Sequence, residues 1–147
     1  MASDGADRVL FARIGWMNFY SGIVPGDPEL IGGGAYNETK IGSEVLNFAP
    51  HQERMYGFVQ GVRSNPLTLD RIDPQADGAE TAGSTLVIFV SRRPHQKGQV
   101  IIGWYRNATV HREAASDPRS VARNWRAFNI VAKRKNAVLL PTNERWQ

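Results

Sequence analysis

The chain of 147 residues contains no cysteine. That absence excludes a disulfide framework, a thiolate zinc site and a cysteine nucleophile. Long hydrophobic runs are missing as well. The longest, Leu86–Val90 and Val100–Tyr105, fall far short of the ~18 residues of a membrane-spanning helix. Histidine is scarce, and His51, His95 and His111 have no partners at the spacing of a zinc motif. No G-x-S-x-G elbow, P-loop or G-x-G-x-x-G is present; Gly32–Gly34 is followed by Ala-Tyr-Asn, not Lys-Ser/Thr. The amino terminus carries acids before its first apolar run and lacks a basic region and a cleavage site, so it does not read as a secretory signal. Cytoplasmic residence is the default expectation. The sequons at Asn37 and Asn107 then carry no meaning.

What is present suits one globular domain spanning residues 1–147. Hydrophobic residues make up 41% and charged residues 22%, the balance of a chain that folds around a single core. The net charge of +4 conceals a skew. Residues 1–80 hold 6 Lys+Arg against 11 Asp+Glu, and residues 81–147 hold 12 against 3. Fourteen of the 18 basic residues are arginine, whose planar fork suits phosphates and base edges. A basic second half invites a nucleic-acid partner.

Alternating apolar and β-branched residues bounded by Gly, Pro and Asp predict strands. They fall at Val9–Trp16, Arg54–Gln60, Leu67–Ile72, Thr85–Arg92, Gln99–Arg106, Phe128–Lys133 and Ala137–Leu140, with Ala108–Arg112 continuing after a bend near Asn107. Residues 73–84 read as a polar loop. One short helix is expected within Asn37–Phe48, capped by Asn37 or Thr39, and a helical turn in the segment that begins Ser116-Asp-Pro. Few helical periods and six or seven short strands predict an α+β fold, a small curved mixed β-barrel with one to three short helices.

The aromatic residues are the strongest pointers to function. Neighbours on a strand face opposite sides, so only one of Trp104 and Tyr105 can enter the core. The other must cover a ligand, a partner or a loop. Aromatic faces hold a flat base at ~1–3 kcal/mol, and Asn18, Asn37 and Asn107 carry the paired donor and acceptor that read a base edge.

Several blocks resemble one family. They are R-I-G-W-M-N-F-Y-S-G (13–22), G-G-G-A-Y-N (32–37), E-V-L-N-F (44–48), R-M-Y-G-F-V (54–59), V-I-I-G-W-Y-R-N-A-T-V-H-R (100–112) and N-A-V-L-L-P-T-N-E-R (136–145). As a set they are similar to an amino-terminal domain of bacterial modification-dependent restriction enzymes, often placed ahead of an HNH nuclease. That domain belongs to the PUA superfamily, near its EVE, YTH and ASCH branches.

The resemblance implies a reader without catalytic activity, metal or cofactor. It would bind double-stranded DNA and flip a modified base into an aromatic pocket, foremost a 5-substituted cytosine and next N6-methyladenine. A fused or associated nuclease would cut. The positions it matches for the pocket are Trp16, Met17, Asn18, Tyr20, Tyr36, Asn37 and Trp104. Arg92, Arg93, Arg106, Arg112, Arg123 and Arg126 would clamp phosphates. Two other readings stand beside it. One is an RNA-binding module. The other is a small metal-dependent nuclease or hydrolase acting on nucleotides, using carboxylates such as Glu38, Glu44 or Glu53.

Overall fold

A computed structural model describes residues 8–22, 24–27, 43–60, 67–69, 72–73, 78–116 and 127–145. Seven strands form one mixed sheet: β1 (Val9–Arg13), β2 (Pro50–His51), β3 (Arg54–Gly57), β4 (Thr81–Arg92), β5 (Gln99–Ser116), β6 (Ala127–Lys133) and β7 (Ala137–Leu139). Their order is β1-β4-β5-β6-β3-β2, with β7 also paired to β5. Only β1 and β4 run parallel; the other pairings are antiparallel.

Composition explains the two long strands. In β4 the sequence T-L-V-I-F-V-S alternates, so Thr85, Val87, Phe89 and Ser91 turn inward while Leu86, Ile88 and Val90 stay half-buried on the outer face. In β5 the inward residues are Val100, Ile102, Tyr105, Ala108 and Val110. Their spacing departs from two where the ladder slips. Thr85 pairs with Ala108 but Val87 with Tyr105, so β5 carries an extra residue at Arg106–Asn107. Both of these residues are exposed, and Asn107 has φ 52°, a left-handed conformation that asparagine tolerates. The expected bend near Asn107 is therefore a bulge inside one continuous strand. On the second edge of β5, β7 pairs with residues 103–105 and β6 with residues 109–116, so the bulge also separates its two neighbours.

The core lies against the inner face of β4 and β5. Phe48 packs edge-on against Tyr20, Phe89 and Tyr105, with centroids 5.9, 5.4 and 5.6 Å away. Val45 and Phe48 arrive from the 3-10 turn Ser43–Leu46 and its continuation. Gly57 leaves room for the Tyr105 ring, which an added Cβ would meet at 2.9 Å. Two asparagines extend β3 beyond its last rung. Asn47 accepts from the Phe58 N–H (2.8 Å) and donates to its carbonyl (3.0 Å). Asn129 does the same for Val59, at 3.1 and 2.8 Å. Each side-chain amide stands in for a strand neighbour.

Three expectations need correction. The sheet does not close into a barrel, because β1 pairs only with β4 and β2 only with β3 among the described strands. Leu67–Ile72 does not form a strand where it is described: the Leu67 N–H donates to Arg112, and the N–H groups of Ile72 and Asp73 turn back to Leu69. Residues 81–84 of the expected polar loop belong to β4. The described helical segments are 3-10 turns at Ser43–Leu46, Arg134–Asn136 and Thr142–Glu144. The expected helix start at Asn37 and the turn after Ser116 lie outside the described residues.

Candidate functional site

β1 ends on a hydrogen bond from the Ile14 N–H to the Val90 carbonyl, and the following loop folds in on itself. Buried Glu44 accepts the Gly15 N–H at 3.0 Å. The buried Asp27 carboxylate accepts the consecutive N–H groups of Asn18, Phe19 and Tyr20 at 2.8, 2.7 and 3.3 Å. Such a concave run of amides is a natural anion cradle, and here the chain fills it with its own carboxylate. Trp16, Met17 and Tyr20 are buried. The Tyr20 hydroxyl donates to the Gly15 carbonyl, and burial raises its pKa well above the ordinary phenol range.

Arg145 locks this loop from 128 residues away. Its guanidinium is buried and donates to the carbonyls of Met17 (2.7 Å), Asn18 (2.8 Å) and Leu140 (3.0 Å). Its Cζ lies 4.7 Å from the centre of the Trp16 ring, and that of Arg93 lies 4.8 Å away. Burial lowers the Arg145 pKa from the usual guanidinium value. Arg93 in turn donates to the carbonyls of Thr142 and Arg145. Trp16, Met17, Asn18 and Tyr20 are thus brought together, with the ring of Trp16 held by cations of the chain itself. From this loop the surface receives half-buried Asn18 and Phe19, which is 51% exposed.

Trp104 has different surroundings. Tyr105 is the residue that enters the core, and Trp104 turns to the outer face. There it lines an open depression of about 280 Å³ with Leu86, Ile88, Ile101 and Arg106. Phe11, opposite Ile88 in the ladder and 65% exposed, extends the apolar face beyond it. Arg106 reaches the rim because it lies two residues after Trp104 and so shares its face of the strand. None of Trp16, Met17, Asn18 and Tyr20 lines the depression.

The other expected residues are scattered. Arg92 is exposed, with its Nε donating to the Gln96 carbonyl. Arg112 is half-buried and donates to Ala79 at 2.7 Å. Tyr36, Asn37, Glu38, Arg123 and Arg126 lie outside the described residues. Of the alternative carboxylates, Glu44 is committed to Gly15, and Glu53 is exposed on the turn before β3.

Arg145, Asp27 and Phe19 were not singled out from sequence. Arg145 lies in the N-A-V-L-L-P-T-N-E-R block, but nothing local distinguishes a buried arginine from a solvated one. The turn around Gly26 was the available sign for Asp27. Among the described residues no His, Asp and Glu side chains cluster as metal ligands. No described helix is long and apolar enough to cross a membrane. No family model, curated protein or solved structure matches the chain.

Proposed function

We propose that the chain is a non-enzymatic module that binds DNA carrying a modified base, foremost a 5-substituted cytosine, and directs a separate nuclease to it. The observation that carries this reading is Trp104: a half-buried indole on an open depression, beside the exposed guanidinium of Arg106. The pairing matches the two halves of a nucleotide. A flipped base stacks on the indole, and the phosphate next to it meets the arginine. The remaining walls, Leu86, Ile88 and Ile101, are aliphatic. They suit a methyl group on the base, whose burial contributes about 0.8 kcal/mol, and they offer an unmodified ring edge nothing in exchange. N6-methyladenine carries the same kind of group and is the next candidate.

A panel of duplexes that differ only in one modified base tests the proposal. The wild-type chain should prefer one modified duplex over its unmodified counterpart. Trp104→Ala should abolish that preference and leave weak, salt-sensitive binding. Equal affinity of the wild-type chain for all duplexes would sink the reading. Preference for matched RNA in competition would move it to the RNA-binding class.

A further inference from the structure

The other end of the outer face carries a second constellation, built from strands β2, β3, β6 and β5, which are adjacent in that order. His51, Tyr56, Phe128 and His111 form a continuous row across them. Successive ring centres are 6.3, 4.9 and 5.7 Å apart, with interplanar angles of 62°, 72° and 85°. All four residues are half-buried. They are packed edge to face, so each ring fixes its neighbour and the row need not be ordered when something binds.

Cations gather at the same end. Arg54 shares the face of Tyr56, two residues along β3, and stands directly opposite Lys133 in the ladder. Arg134 and Lys135 follow at once, pinned beside the preceding turn by the Arg134 N–H, which donates to the Glu53 carbonyl at 2.8 Å. All four cations are exposed, and none is ion-paired among the described residues. Like charges placed opposite each other across a ladder oppose folding. An anion seated between Arg54 and Lys133 removes that repulsion.

We propose that this face binds an unpaired nucleic-acid strand, with bases packed against the aromatic row and phosphates held by Arg54, Lys133, Arg134 and Lys135. It is a surface separate from the Trp104 depression. Flat rings beside cations match the alternation of base and phosphate. An acidic peptide would satisfy the cations and leave the rings uncovered. A duplex keeps its base faces stacked inside and cannot present them.

Fluorescence anisotropy with an unmodified, labelled thymidine oligomer of about 12 nucleotides, within the span of such surfaces, tests this on the full chain. The wild-type chain should bind it, and Phe128→Ala should weaken binding roughly five- to 150-fold, the range for losing one stacked base. The double variant Arg54→Gln, Lys133→Gln changes only exposed positions, so its fold is not at stake. It should weaken binding and reduce the dependence of log affinity on log salt by about 1.4. Unchanged affinity in that double variant overturns the proposal. So does equal displacement of the oligomer by polyglutamate, which would assign the face to an acidic protein. Tighter binding of the matched duplex overturns it too. The probe carries no modified base, so failure here leaves the Trp104 reading standing, and failure of the duplex panel leaves this one standing.

Discussion

Tyr20 shows how far one side chain can depart from what its neighbours in sequence suggest. The block R-I-G-W-M-N-F-Y reads as a set of aromatics offered to a ligand, yet Tyr20 is fully buried and its hydroxyl is spent on the Gly15 carbonyl. Residue type gives the chemistry of a side chain but not its direction, which the tertiary packing of Phe48 and Arg145 decides here. Burial has a consequence at high pH. The ordinary tyrosine value is about 10, and the folded-state value lies above it. Above about pH 10 the unfolded chain therefore gives up the Tyr20 proton while the folded chain keeps it. The contribution of Tyr20 to stability is level below that pH and falls as pH rises beyond it. Urea unfolding across this range should show the fall, and Tyr20→Phe should flatten it. The variant should also lower the plateau by about 1 kcal/mol, for the lost hydrogen bond.

At the scale of elements, strands were legible and their partners were not. Alternation located β1, β3, β4, β5, β6 and β7 to within a few residues, because a half-buried strand writes its period into the chain. Leu67–Ile72 carries a similar pattern, yet its described residues make turn and loop contacts instead. Apolar residues announce burial, not ladder pairing. Pairing itself rests on contacts far apart in sequence, as between Val9 and Leu86, which no local pattern encodes. Gly103, within the G-W-Y motif, illustrates the difference. The motif draws attention to its aromatics, but the glycine is what lets β7 approach β5: an added Cβ would lie 2.2 Å from the Val138 carbonyl oxygen. Gly103→Ala should therefore destabilise the protein by about 1–3 kcal/mol, the usual range for overpacking. The loss should appear as a lower Tm and as faster amide exchange at Tyr105 and Leu139, neighbours on the β5–β7 edge.

For the molecule as a whole, the charge skew was visible in sequence, but its halves do not map onto faces. Arg54 comes from the acidic half and faces Lys133 from the basic one. The candidate site was legible in part: Trp104 and Arg106 share one depression, whereas Trp16, Met17 and Tyr20 are interior and rest on Arg145. That arginine ties the two ends of the described chain together. Arg145→Ala would strand the carbonyls of Met17, Asn18 and Leu140, at a cost of about 2–4 kcal/mol. The measurement is the urea midpoint with an unchanged slope. Arg145→Lys should not restore it, because a single ammonium cannot reproduce the fork that reaches three carbonyls at once.

The same tie sets an order in time. Chains emerge from their amino end at about 5–20 residues per second. The carbonyls of Met17 and Asn18 must wait for a partner that is 128 residues downstream, an interval of roughly six to twenty-five seconds at that pace. During synthesis β1, β4 and β5 can already pair while the Trp16 loop stands unsealed, with its tryptophan and methionine open to whatever chaperone or misfolding partner is at hand. A ribosome stalled short of Arg145 would hold a partly paired sheet beside a loop that cannot shut.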